Sequence, residues 1–194
     1  MLQEITAKTP RHNLKIEVRS GHIPTKDVKT DRKLFSDMCR TGCKNYGTKH
    51  SCPPSSPALE NHVKEKYLFV IMMSIDLTQL KEYKEYHRVR LANAVLKSRI
   101  EKLMRTLEIN SRFLSTGSCR LCKPCQKKKG EPCKHPDKMR YSMESLGIDC
   151  NHLCSTLFNK PLQWRRKGTE IEYTSVVCAI PSESPKSLKI NKSH

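Results

Sequence analysis

The sequence predicts an α/β protein: a small mixed sheet flanked by helices, carrying two cysteine-rich metal-binding loops. Three observations predict it. Residues 67–75, Tyr-Leu-Phe-Val-Ile-Met-Met-Ser-Ile, form a continuous apolar run bounded by charge, as a central strand buried on both faces would. Leu80, Tyr83, His87 and Leu91, and then Leu96, Ile100, Leu103 and Leu107, return at three- or four-residue steps, the mark of an amphipathic helix laid on a sheet. Residues 14–18 and 170–180 alternate or run apolar over strand length. At 194 residues the chain suits one ordinary domain, expected over residues 1–181, with a Ser- and Lys-rich stretch at 182–194 expected to be a disordered basic tail.

In chain order, residues 1–10 are expected to fray. Leu14, Ile16 and Val18 alternate with Lys15, Glu17 and Arg19 as a short half-buried strand, and Ser20-Gly21 reads as a turn. Residues 31–38 suggest one helical turn leading into the first cysteine group, and residues 57–66 a helix before the central strand. Asp76 and Gln79 make a capping box for the long surface helix, on which the tyrosines and His87 are packing residues. Residues 112–116 read as a brief strand that delivers Gly117 and a second cysteine group. Residues 137–146 and 149–158 suggest two helical pieces joined through Gly147, with Cys150 and Cys154 one turn apart as packing residues. The last strand, residues 170–180, contains Cys178.

The chemistry lies in two loops, residues 39–54 and 117–136. In the second, Cys119, Cys122 and Cys125 are each two residues apart, and Cys133 follows after seven more. A single tetrahedral zinc is ordinarily held by two separated Cys-x2-Cys pairs, since a third consecutive cysteine crowds the ion. A cubic cluster spreads its irons, so three closely spaced thiolates can reach three of them. The spacing therefore favours an iron–sulfur cluster of the 4Fe–4S type, with zinc as the alternative. It departs from the bacterial ferredoxin run, in which three residues precede a fourth cysteine followed at once by proline; here Pro132 and Pro136 flank the site. In the first loop, Cys39, Cys43 and Cys52 lie among Gly42, Gly47, Pro53 and Pro54, which suit a folded loop. Three thiolates leave one corner of a cube open to Cys150, Cys154, Cys178, His50 or a small molecule.

Ten cysteines in a chain whose first 15 residues lack an apolar signal core point to a reducing, cytoplasmic setting and to metal before disulfides. The run at 67–75 is too short to span a bilayer, so no membrane partner is expected. With 37 Lys+Arg against 19 Asp+Glu, the net charge of +18 permits nucleic acid, an acidic protein or an anionic substrate as partner. The charges are spread along the chain and lack the aromatic interleaving of a single-strand binding platform.

Cys39-x3-Cys43-x2-Tyr46-Gly47-x4-Cys52-Pro53-Pro54, followed by Gly117-Ser118-Cys119-Arg120-Leu121-Cys122-x2-Cys125-x7-Cys133-x-His135-Pro136-x2-Met139-Arg140-x-Ser142-Met143-Glu144-x2-Gly147-Ile148-Asp149, resembles the "predicted metal-binding protein" family, domain-of-unknown-function family 2284. The resemblance covers roughly residues 30 to 180. It implies metal coordination, iron–sulfur before other metals, by Cys39, Cys43, Cys52, Cys119, Cys122, Cys125 and Cys133, in a family typical of anaerobes. Cys150, Cys154 and Cys178 fall outside its pattern. Arg140, Ser142 and Glu144 are candidates for hydrogen bonds to cluster sulfurs, or else belong to a helix start that closes the loop.

Three functions remain open on these grounds. The first is electron transfer through one or two 4Fe–4S clusters to or from an acidic redox protein. The second is an enzyme or maturation factor that uses the open corner. The third is a zinc-stabilised basic nucleic-acid-binding module. No nucleophile elbow, Walker loop or dinucleotide fingerprint is present, and the Cys-x3-Cys-x2-Cys of radical S-adenosylmethionine enzymes is missing, so enzyme status stays open.

Overall fold

The structure, a computed structural model, describes residues 1–108, 112–165 and 169–185. Strands β1 (Leu2–Lys8), β2 (Asn13–Pro24), β3 (Tyr67–Asp76) and β4 (Tyr173–Ser182) form one sheet in the order β1-β2-β3-β4. Between β2 and β3 lie helices α1 (Arg32–Gly42) and α2 (Leu59–His62); between β3 and β4 lie α3 (Glu85–Leu107) and α4 (Cys150–Phe158). The class is α/β, as expected. The sheet is not mixed as expected: every ladder is antiparallel, and the parallel bridge of Ser115 with Ser142 lies outside the named strands.

The inner strands β3 and β4 are buried on both faces, β1 and β2 mainly on one. On one face of the sheet, Ile5, Ile16, Ile71, Ile75, Cys178 and Ile180 meet the stripe Ala92, Leu96, Ile100 and Met104 of α3. Burying each large apolar side chain of this stripe contributes about 1.5–3 kcal/mol. On the other face, Leu68, Val70, Met72, Val177 and Ala179 meet Leu153, Cys154 and Phe158 of α4, Leu59 and Val63, and the segment Met143, Leu146 and Ile148. The unbroken apolar run of β3 is the consequence of this double burial.

Several expectations are corrected. Residues 1–10 do not fray: Ile5 and Ala7 point into the core and β1 pairs with β2 from Leu2↔Arg19 to Lys8↔Asn13, turned by Thr9, whose N–H donates to the carbonyl of His12. Ser20-Gly21 is no turn. The strand runs through it to Pro24, and Gly21 lets the Phe158 ring approach where a Cβ would stand 3.4 Å from it. Residues 31–38 grow into the 11-residue α1, because the Asp31 carboxylate accepts from the Leu34 N–H and caps it. The helix expected over 57–66 shrinks to α2. Asp76 caps only a short 3-10 turn, Leu77–Leu80, and α3 begins at Glu85. Residues 137–146 hold two 3-10 turns, Pro136–Lys138 and Glu144–Leu146, instead of a helix. His87 is exposed, edge-on to Tyr86, and is not a packing residue. The tail expected at 182–194 lies, from residue 186 on, outside the described residues; Ser182 itself is buried at the end of β4. Among the described residues, no helix is long and apolar enough to cross a membrane.

Candidate metal centre

All ten cysteines are free thiols. Their placement separates them into two sets. Cys150 and Cys154 are buried in the α4-side core and Cys178 in the α3-side core, so the sheet stands between them. Burial, with the Glu144 charge as a lesser cause, pushes the Cys154 thiol up to about 12 and the Cys150 thiol well above its usual range. Burial likewise raises Cys178. These three are packing residues.

The other seven cysteines sit on the two loops. Cys39 occupies the last turn of α1, and Cys43 caps that helix, its N–H donating to the Cys39 carbonyl over 2.9 Å. The chain then folds back, with the Gly47 N–H on the Pro53 carbonyl, and returns Cys52 beside the first two. Gly47 has a φ of 65°, the left-handed conformation expected of it. Burial is the main cause that raises the Cys52 and Cys39 thiols, and the neighbouring Cys43 adds to both; Cys39 also acts on Cys52. Three thiols are thus near enough to feel one another's charge. That burial and charge disfavour the Cys39 and Cys52 thiolates, a preference a bound metal reverses.

The second loop leaves the fold at Leu114, which is hydrogen-bonded to Ala179 of β4 in both directions, and at Ser115, whose N–H donates to the Tyr141 carbonyl. Cys119, Cys122, Cys125 and Cys133 are all half-buried. The loop is closed by the buried Gln126 amide, which donates to the Glu131 carboxylate, and by Gly130 in the left-handed conformation.

Sequence alone gave no sign that the loops touch. They are stitched together by four contacts. The Cys119 N–H donates to the buried Ser51 Oγ at 3.0 Å; Lys49 Nζ donates to the Ser118 Oγ at 3.0 Å and to the Cys119 carbonyl at 2.8 Å; and His50 Nε2 meets the Glu131 carbonyl at 2.9 Å. Ser51 Oγ also lies 3.9 Å from the Cys52 sulfur. Lys49, His50 and Ser51, three consecutive residues, therefore clamp one cysteine loop to the other. No single-sequence signal marks this role, since each is an ordinary polar loop residue. His50, a candidate fourth ligand, is engaged in this clamp.

Among Arg140, Ser142 and Glu144, the structure distinguishes three settings. Arg140 forms a bidentate ion pair with Glu108, 2.6 Å and 3.0 Å, and stacks on Phe113 at 4.6 Å. Ser142 receives the Ser145 N–H on its Oγ and stabilises the turn at Glu144–Leu146. Glu144 alone lies close enough for its charge to act on Cys39. That turn is fastened to the first loop by Arg32, whose guanidinium donates to the Ser145 carbonyl and to the Ser56 carbonyl and Oγ.

The seven cysteines of the two loops are free thiols, the donor type that suits a thiolate-bound metal. Among the described residues, no three His, Cys, Asp or Glu side chains converge on one point.

The family model described as "Predicted metal-binding protein (DUF2284)" matches residues 21–178, a span that includes every cysteine of the chain. No curated protein and no solved structure shows a significant match.

Proposed function

Since the chain belongs to the predicted metal-binding protein family, domain-of-unknown-function family 2284, we propose that it carries one or two iron–sulfur clusters of the 4Fe–4S type on Cys39, Cys43, Cys52, Cys119, Cys122, Cys125 and Cys133. The observation that carries this reading is the clamp from Lys49 to Ser51. It ties the two cysteine loops to one another, so the seven cysteines lie on adjoining loops. The Cys119-x2-Cys122-x2-Cys125 spacing favours a cluster over zinc. When bound, such a cluster supplies one-electron transfer. The chain's own part is to hold the loops, bury Ser51 and Gln126 beneath them, and present Lys123, Lys128 and Lys129 at the surface, which favours docking of an acidic redox protein.

The deciding experiment is iron, zinc and acid-labile sulfide per chain on protein purified without oxygen, with its visible spectrum. Labile sulfide near ~4 or ~8 per chain with a broad charge-transfer band is the expected result. About one or two zinc ions, no sulfide and no colour overturn it.

A second reading, nucleic-acid binding, gains one observation that sequence reasoning missed. Tyr86 is 49% exposed, with the guanidinium groups of Arg90 and Arg165 5.4 Å and 5.8 Å from its ring centroid, and the 58% exposed Trp164 precedes Arg165 in the chain. Cations interleaved with exposed rings are what a single strand stacks on. Salt-dependent binding of single-stranded RNA by the native chain, lost in Tyr86→Ala/Trp164→Ala, would favour this reading.

A further inference from the structure

We propose that the pocket walled by Cys119, Arg105, Arg120, Lys138 and Arg140 binds a small oxyanion of the phosphate or sulfate class beside the second cysteine loop. A cavity of about 130 Å³ opens between the end of α3 and the stretch Ser118 to Leu121. Its volume suits one tetrahedral anion or one terminal phosphoryl group, and is too small to enclose a nucleotide.

Charge and hydrogen-bonding capacity both point to an anion. Of the four cations, Arg105 is offset by Glu101 at 3.8 Å and Arg140 by its bidentate pairing with Glu108. Arg120 and Lys138 have no carboxylate partner among the described residues, so two positive charges face the cavity uncompensated. Ser118 adds a donor. Its Oγ already accepts from Lys49 Nζ, which leaves its O–H to donate, whereas the Ser115 O–H is committed to the Gly117 carbonyl at 2.6 Å. A guanidinium, an ammonium and a hydroxyl around a small concavity match the acceptors of a tetrahedral oxyanion.

A protein of charge +18 has cations over much of its surface; what differs here is that Arg105, Arg120, Lys138 and Arg140 line one small cavity whose wall holds a single carboxylate, Glu101. The site itself stands without the metal reading. Its consequence rests on that reading: Cys119 lines the pocket, so a bound oxyanion lies against the loop proposed to hold the metal.

The test is calorimetric titration of the full chain with inorganic phosphate, on metal-loaded and metal-stripped protein. Saturable one-to-one binding is expected, weakened about tenfold or more in Arg120→Gln/Lys138→Gln. The control Lys128→Gln/Lys129→Gln removes the same charge from exposed positions of the same loop and is expected to change affinity no more than about twofold. Lys138→Gln alone, at an exposed site, is expected to weaken binding about threefold, which keeps the test valid if the double variant folds poorly. Equal loss in both double variants, or no saturable binding, overturns the proposal. Methyl phosphate separates the sources: affinity equal to phosphate identifies the terminal group of a larger molecule, and weaker affinity identifies the free ion. Metal and sulfide assays on the same samples keep the two ideas apart, since selective phosphate binding by a protein with no metal leaves this site standing and removes the cluster.

Discussion

The backbone N–H of Cys119 donates to the Oγ of Ser51, 68 residues earlier, over 3.0 Å. Ser51 is 1% exposed, so its hydroxyl is a fixed acceptor inside the fold and not a surface group that happens to be near. The bond ties the first cysteine of the second loop to the residue preceding the last cysteine of the first. Two loops that the sequence presents as separate sites are thereby one structural unit.

Ser51→Ala leaves the partly buried Cys119 N–H without its acceptor, at a cost of about 1–3 kcal/mol. Metal is expected to leave the variant faster than the wild type in a chelator challenge, with the far-ultraviolet dichroism unchanged. Equal rates of metal loss would show that the clamp does not support the centre.

Thiol labelling separates the two cysteine sets. On metal-free, folded protein, Cys39, Cys43, Cys119, Cys122, Cys125 and Cys133 are accessible and are expected to alkylate first. Cys150, Cys154 and Cys178 combine burial with raised thiol pKa values, and are expected to remain unlabelled until denaturant opens the core. Peptide mass spectrometry at increasing labelling times reads this directly. Labelling of Cys150 as fast as Cys43 would contradict a closed α4-side core.

Gly147 tests the attachment of the first loop. It has φ of 90°, and a Cβ there would stand 3.0 Å from the Arg32 Cα. Its carbonyl accepts from the Asp31 N–H at the head of α1. Gly147→Ala combines left-handed strain with backbone overlap and is expected to cost about 2 kcal/mol or more. For a chain of this size that lowers the melting temperature by roughly 4–8 °C. Because α1 carries Cys39, metal content per chain should fall as well. A variant with unchanged melting temperature would mean that Arg32 yields freely.

Glu17 carries an acid-sensitive part of the stability. The Arg19 hydrogen bond, followed by Lys160, holds its carboxyl at about 2, against an ordinary 4.5. A depressed carboxylate contributes fully above the ordinary value and loses its contribution as pH falls through the folded one. The gap in melting temperature between wild type and Glu17→Gln is therefore expected to be constant above pH 4.5 and to close between pH 4.5 and 2. A gap that persists at pH 2 would show that the ion pair is not its source.

Much of the fold was legible because burial leaves periodic marks. The run at 67–75 became β3, the helical steps from Leu91 to Leu107 became the inner side of α3, and Leu14, Ile16 and Val18 became the core face of β2. What failed was local reading where a distant partner decides. β1 exists because Ile5 and Ala7 find Ile16 and Leu14 across the ladder, and Gly21 continues a strand because it pairs with Val70 of β3. Arg140 looked free for the metal centre until the fold gave it Glu108 and Phe113.

By itself, the sequence determined the chemistry: seven thiols at spacings that suit a metal, on loops built with Gly and Pro, in a strongly basic chain. These follow from residue identity and short spacings, which folding does not change. Only the tertiary structure decided that the two loops meet through Lys49, His50 and Ser51, that Cys150, Cys154 and Cys178 are core, and that Arg120 and Lys138 face one cavity. The reason is that hydrogen bonds and buried contacts between residues 70 or 80 apart are made by the sheet that brings them together, and a local pattern carries no record of such a partner.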